Sequence, residues 1–274
     1  MLNRTGTIRQ NMLYLDESYD RLKLLRGAYE DETAYVIATG PSLGNHDIDK
    51  LKEFLSDKFV IGMKQTYDLI DDVIDIHLLN FTNCKLYDYG TNDKTIAVWI
   101  VSMPDQIQYL MQNDLRCDVM IPLCRHYSGR ENSIAAMGDF ENLLIKNSFE
   151  RPWGPGIMYE LGFPIPFYCG SKRIVTIGWD IGDLNTEDDG KSLVKYDHIY
   201  ADGVDMKKTE YDGENVQKLS VGGSGGMMYE ELKMVVDSTE DLHYFLESIG
   251  VELNIVSDRN PAYNKIKRME LNEL

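Results

Sequence analysis

Short apolar runs alternate along the chain with segments of helical periodicity. The first runs are Ala34-Tyr35-Val36-Ile37-Ala38 and Phe59-Val60-Ile61-Gly62-Met63. Further predicted strands at 74–80, 95–101, 117–122, 172–180 and 251–257 complete the series. Strands that are continuously apolar, rather than alternating, are buried on both faces, as in a parallel sheet. Between them, Ile48, Leu51, Phe54 and Leu55 fall on one helical face, and 105–115 is a second predicted helix. Helix 227–236 comes next, and Ser238 or Thr239 caps another whose inner face is Leu242, Phe245, Leu246 and Ile249 and whose end is Gly250. This order predicts an α/β fold, a Rossmann-like, mostly parallel sheet flanked by helices, with a lid-like insert.

Residues 1–33 form a helical extension, because Met12, Leu15, Tyr19, Leu22 and Leu25 recur every three or four residues. Such a helix either covers the sheet or joins a second copy in a homo-oligomer. Residues 34–274 then make a single nucleotide-binding domain, with 183–224, rich in Asp, Gly and Lys, as its lid or hairpin. Within that segment, Tyr196-Asp197-His198-Ile199-Tyr200 alternates in a way that sets Tyr196, His198 and Tyr200 on one side of a short strand. Pro164 and Pro166 should break or kink the helix that follows Gly154-Pro155-Gly156.

Charge and cysteine usage narrow the function. A net charge of −17 argues against nucleic acid as a partner, since phosphate backbones need a basic surface, but a nucleotide needs only a local cradle. The four cysteines, with no C-x-x-C pair, suggest neither a zinc site nor a disulfide scaffold and fit a reducing cytoplasm. No run approaches a membrane span and the first residues lack the apolar core of a signal peptide, so a cytoplasmic location is expected, at most peripheral to a membrane.

The candidate chemistry lies where apolar runs end. Thr39-Gly40-Pro41-Ser42-Leu43 follows the first strand: Gly40 lets a phosphate approach the backbone, Pro41 suits a first helical turn, and Ser42 adds a hydroxyl. The competing reading is an ordinary strand-to-helix turn capped by Ser42 or Asn45. Asn80 and Thr82 end the third strand, Trp153-Gly154-Pro155-Gly156 opens a helix, and Asp180 closes the strand at 172–180, all at the edge where open α/β sheets bind ligands. Gly222-Gly223-Ser224-Gly225-Gly226 lacks the lysine and spacing of a Walker loop and reads as a hinge.

The order of these blocks resembles the bacterial CMP-sialic-acid-dependent sialyltransferases of glycosyltransferase family 42. More loosely, it is similar to the domain-of-unknown-function proteins that include archaeal pterin pyrophosphokinases. The resemblance implies a metal-independent, cofactor-free glycosyltransferase of polysaccharide biosynthesis, moving a sialic-acid-like sugar from a nucleotide donor to a glycan or lipid-linked acceptor. It implies that Thr39 to Leu43 hold the nucleotide phosphate, that Asn80 and the Trp153 to Gly156 turn contact the donor, and that His198 is the general base. Lys64 stands where those enzymes carry Asn and could neutralise the leaving group. Tyr196 or Tyr200 would take the place of their phosphate-binding tyrosines. The alternatives are a pyrophosphokinase-like phosphotransferase, with Mg²⁺ on carboxylates such as Asp180 and Asp183, and a non-catalytic nucleotide- or glycan-binding protein.

Overall fold

The computed structural model describes residues 3–80, 93–101, 104–112, 115–122, 157–181, 193–195, 226–257 and 259–273. The principal strands are β1 (Thr33–Ile37), β2 (Phe59–Met63), β3 (Ile76–Asn80), β4 (Ile96–Val101), β5 (Val119–Pro122) and β6 (Arg173–Ile177). They are followed by β7 (Leu193–Lys195), β8 (Gly226–Met228), β9 (Glu252–Val256) and β10 (Lys267–Arg268). Eight of them form one sheet in the order β10-β9-β6-β1-β2-β3-β4-β5, in which every pairing is parallel. β7 and β8 pair antiparallel in a separate ribbon. This is the α/β, Rossmann-like architecture that the apolar runs predict.

From β1 the chain steps outward through β2, β3 and β4 to β5, returns past β1 to β6, and steps outward the other way to β9 and β10. The direction therefore reverses between β1 and β6, and the crevice outside the carboxyl ends of those two strands is the place where such sheets bind ligands.

Both faces of the sheet are covered. On β1, Ala34 and Val36 enter one apolar layer, and Tyr35 and Ile37 the other. Helices α1 (Arg4–Met12) and α2 (Ser18–Lys23) supply Met12 and Leu22 to the first layer. α3 (Ile48–Leu55), α4 (Tyr67–Ile70) and α5 (Pro104–Gln112) cover the second layer with Leu51, Leu55, Ile70 and Leu110. α6 (Pro164–Tyr168) and α7 (Tyr229–Ser248) return to the first with Ile165, Leu242 and Leu246. Leu51 and Leu55, one turn apart and fully buried, each contribute about 1.5–3 kcal/mol to holding α3 on the sheet.

The N-terminal residues differ from the single amphipathic helix read from their periodicity. They form two helices, and α1 docks through polar contacts as well as through Ile8 and Met12. Thr5 donates to Asp75 Oδ1, and Arg9 Nε, one turn on, lies 3.0 Å from Asp118 Oδ1. Each of these aspartates also fixes strand register: Val60 N–H donates to Asp75 Oδ2 at 3.0 Å, and Ala97 N–H donates to Asp118 Oδ2 at 2.8 Å. α1 thus lies at the amino-terminal edge of the sheet, opposite the ligand edge. α2 shields the outer edge of β5, with Ser18 Oγ bonding both the N–H and the carbonyl of Met120 and Arg21 reaching the Asp118 carbonyl.

One helix boundary also differs. Ser238 and Thr239 interrupt nothing: α7 runs straight through them, with Thr239 Oγ1 donating to the Val236 carbonyl of its own helix. Gly250, at φ 74°, terminates the segment as expected. At Pro164 the helical path breaks as expected: the π-helical turn at Met158–Gly162 ends and Pro164 starts α6, because a missing N–H costs nothing in a first turn.

Burial raises the Asp75 pKa, so part of the fold's stability is lost as pH climbs from the ordinary carboxylate range through that raised value. Asn at this position keeps an acceptor for Val60 N–H without the charge. Asp75→Asn should match or exceed wild-type stability at about pH 7, with the difference closing toward pH 4, whereas Asp75→Ala should cost about 1–3 kcal/mol. Urea unfolding at both pH values checks this; a pH-independent gap between wild type and Asp75→Asn would refute it.

Candidate functional site

At the carboxyl ends of β1 and β6 the two chains stay paired beyond the strands. Ala38 N–H donates to the Ile177 carbonyl at 2.8 Å, and Gly40 N–H to the Gly178 carbonyl at 2.8 Å. So close an approach leaves no room for a Cβ. One built on Gly40 would lie 2.5 Å from the Gly178 carbonyl oxygen and 2.5 Å from Asp180 Oδ2. One on Gly178, itself at φ 72°, would lie 2.5 Å from the Ala38 carbonyl oxygen.

Asp180 is buried over this junction. Its Oδ2 accepts the Ser42 N–H at 2.7 Å, its Oδ1 accepts the Ser42 hydroxyl at 2.6 Å, and the Ser257 hydroxyl, just past β9, also donates to Oδ1. One carboxylate therefore ties together the ends of β1, β6 and β9. Leu43 N–H closes back on the Gly40 carbonyl at 3.1 Å, and Pro41 has no N–H. Every backbone donor from Gly40 to Leu43 is used within the chain. The turn's donors meet the protein's own Asp180, and the close approach of Gly178 and Asp180 by itself requires a glycine at position 40.

The turn itself is a 3₁₀ segment, Pro41–Asn45, and α3 starts only later. Its N-cap is Asp47, whose carboxylate accepts from Asp49 N–H and Lys50 N–H at 3.1 and 3.3 Å, so neither Ser42 nor Asn45 caps the helix. Thr39 is buried at the end of β1. Beside the turn, a cleft of about 670 Å³ is lined by Ser42, His46, Ser257, Asn260 and Glu270 among others. Much of its polar floor is already paired: Asn260 Nδ2 donates to the Trp179 carbonyl and its Oδ1 accepts Ala262 N–H.

On the other side of β1, Lys64 follows β2, half-buried, with φ 49°. It begins a 3₁₀ turn, Lys64–Thr66, in which Thr66 Oγ1 donates to the Met63 carbonyl at 2.9 Å. His77, fully enclosed on β3, places Nε2 2.7 Å from the Lys64 carbonyl oxygen and stacks its ring on Tyr67, centroids 4.7 Å apart at 17°. A carbonyl oxygen can only accept, so Nε2 carries the hydrogen. Burial lowers the His77 pKa to about 3, against the opposing pull of the Lys64 carbonyl and helped by the charge of Arg116, so the ring is neutral.

The structure thus brings Thr39 to Leu43, Asp180 and Lys64 to one edge of the sheet. Asn80 is the last residue of β3 at that same edge, opposite Ile100 of β4. Thr82, Trp153, Gly154, Pro155, Gly156, Tyr196, His198 and Tyr200 lie outside the described residues. Two residues of the site escape a reading of the sequence, Ser257 and His77. Each nevertheless leaves a trace: Ser257 is the first polar residue after an apolar strand, and His77 is a polar residue inside the run Ile76-His77-Leu78-Leu79.

No protein-family model matches the chain, and no curated protein matches it. Among solved structures it is similar to the sialyltransferase CstII from Campylobacter jejuni in complex with cytidine-5'-monophosphate, at 11% identity and a TM-score of 0.43, over 89% of this chain and 86% of that one. The same enzyme with CMP-3FNeuAc gives 11% identity and a TM-score of 0.41, over 87% and 88%. The MAf glycosyltransferase from Magnetospirillum magneticum AMB-1 gives 13% identity and a TM-score of 0.45, over 95% of this chain and only 39% of that one.

The contacts at Gly40 predict the effect of a single methyl group. Gly40→Ala must push apart two backbones, and should destabilise the protein by about 1–3 kcal/mol or more. Thermal unfolding reads the change, and an unaltered midpoint would show that the junction has slack.

Proposed function

We propose that the chain is a glycosyltransferase that moves a sugar from a nucleotide donor to a hydroxyl of a glycan or lipid-linked acceptor, with a CMP-linked, sialic-acid-like sugar as the first donor to test. The observation that carries this reading is Lys64: a cation at the carboxyl end of β2, one strand from the direction reversal between β1 and β6, where open α/β sheets bind phosphorylated ligands. The motif order from Gly40-Pro41-Ser42 to Asp180 is consistent with glycosyl transfer.

The transfer breaks the bond between the anomeric carbon and the phosphate oxygen, which leaves with the electron pair, while the acceptor oxygen bonds to carbon and gives up its proton. Lys64 neutralises the departing phosphate, and His198 takes the proton. Asn80, Thr82, the Trp153 to Gly156 turn, Tyr196 and Tyr200 contact the donor. With the N–H groups of Gly40 to Leu43 occupied by Asp180 and by the chain itself, that turn shapes the crevice and leaves phosphate charge to Lys64. The chemistry needs no metal, because a lysine and a base meet both of its demands. A pyrophosphokinase-like reaction would instead ask Asp180 to hold Mg²⁺, and both its oxygens already receive Ser42 or Ser257 donors.

Thermal-shift titration with CMP, UMP, GDP and ATP, with and without Mg²⁺, tests the reading. CMP alone should stabilise the protein, by about 2.7 kcal/mol at a hundredfold excess over Kd. Lys64→Met should lose that response, while His198→Ala should keep it and lower transfer about two to four orders of magnitude. An ATP response that requires Mg²⁺ would overturn the proposal in favour of phosphotransfer, and nucleotide binding without transfer to any acceptor would point to a binding protein.

A further inference from the structure

Among the described residues, the non-glycine positions with positive φ are Asp31, at 62°, and Lys64, at 49°. Asp31 is exposed in the loop ahead of β1, whereas Lys64 leaves a strand whose residues are all buried. A left-handed backbone disfavours any residue with a Cβ, and it persists only where surrounding contacts determine it. Those contacts can be named. Thr66 Oγ1 holds the Met63 carbonyl, and His77 Nε2 holds the Lys64 carbonyl. Gly62 lets the turn sit tightly on its neighbours, since a Cβ there would lie 2.3 Å from Ile74 Cδ1. Tyr67, the residue after the turn, is stacked on the His77 ring.

We propose that His77 is a positioning residue: the hydrogen on its Nε2, donated to the Lys64 carbonyl, holds Lys64 in the left-handed conformation that delivers its ammonium group to the donor phosphate. This rests on the reading of Lys64 as the cation of the site. His77 touches no reacting atom. An apolar side chain at position 77, like its neighbours Ile76, Leu78 and Leu79, would leave the Lys64 carbonyl without this donor in a buried setting. The contact also does not titrate near neutral pH. Burial and the Arg116 charge oppose protonation, the Lys64 ammonium belongs to the same turn, and Tyr67 on the ring's face is uncharged, so the donor tautomer is constant.

Two measurements test the pair. The first needs no ligand: urea midpoints of His77→Phe, which keeps an aromatic ring on Tyr67 but has no donor, of Lys64→Gly, which accepts a left-handed φ freely, and of the double variant. His77→Phe should lower the midpoint, and by less in the Lys64→Gly background, where the left-handed strain is gone and the peptide is free to turn its unpaired carbonyl toward solvent. Equal losses in both backgrounds would overturn the proposal. The second is calorimetric binding of CMP. His77→Phe should raise Kd about tenfold, with no further effect in a Lys64→Met background, and His77→Gln, whose amide N–H can reach the same carbonyl, should stay within about threefold of wild type. If wild type binds CMP and His77→Phe binds it equally well, the proposal fails. If the midpoints couple but wild type binds no nucleotide, the functional reading fails and the backbone role of His77 stands.

Discussion

One buried carboxylate organises the ligand edge of this molecule. Asp180 receives a backbone N–H and a hydroxyl from Ser42 and a second hydroxyl from Ser257, so three neighbouring parallel strands converge on it. Hydrogen bonds to a charged acceptor contribute about 1.5–3 kcal/mol each, and an ion left without them in a buried place would cost more than any one of them provides. The clamp also dictates backbone: Gly40 and Gly178 must be bare because the turns they belong to are drawn together over the same group. The shape of the crevice between β1 and β6 is therefore set before any ligand arrives.

The opposite edge uses the same device for a different end. Asp75 and Asp118 precede β3 and β5, and each accepts an N–H from the neighbouring strand while holding a side chain of α1. Carboxylates thus set register at the amino ends of the strands and join turns at the carboxyl ends. This accounts for part of the acidic composition without invoking a partner. Of the cations, Arg9 and Arg116 are bound to Asp118 at the amino edge, Lys64 follows β2 at the carboxyl edge, and Arg268 lines the cleft beside the Gly40 turn.

Much of the fold is legible in the sequence because buried parallel strands write themselves as largely apolar runs, and each of the principal ones lies in such a run. The N-terminal helices were less so. α1 is held by Thr5 and Arg9 besides Ile8 and Met12, so much of its docking leaves no apolar stripe to read. The continuity of α7 was hidden for a related reason: Ser238 and Thr239 look like caps in sequence, but a threonine that returns its hydroxyl to its own helix does not end it. At the site, the residues Gly40-Pro41-Ser42 announced a turn that wants negative charge. They could not announce that Asp180, well over a hundred residues later, supplies it, because that depends on β6 lying beside β1.

The placement of Lys64 gains weight from the charge of the whole chain. At −17, the protein's field disfavours an anionic donor at long range, but at physiological ionic strength that field is screened over about 8 Å. Attraction must then come from close by, and from a group whose position does not wander. A lysine on an ordinary exposed loop would be a poor choice, since its long side chain loses entropy on binding and its charge is shared with water. A lysine on a strained turn, with its carbonyl pinned by an uncharged imidazole and the next turn stacked on that ring, starts from a fixed backbone. The cost of the left-handed conformation is carried by folding, so on the proposed reading of Lys64 it need not be met again when a donor binds.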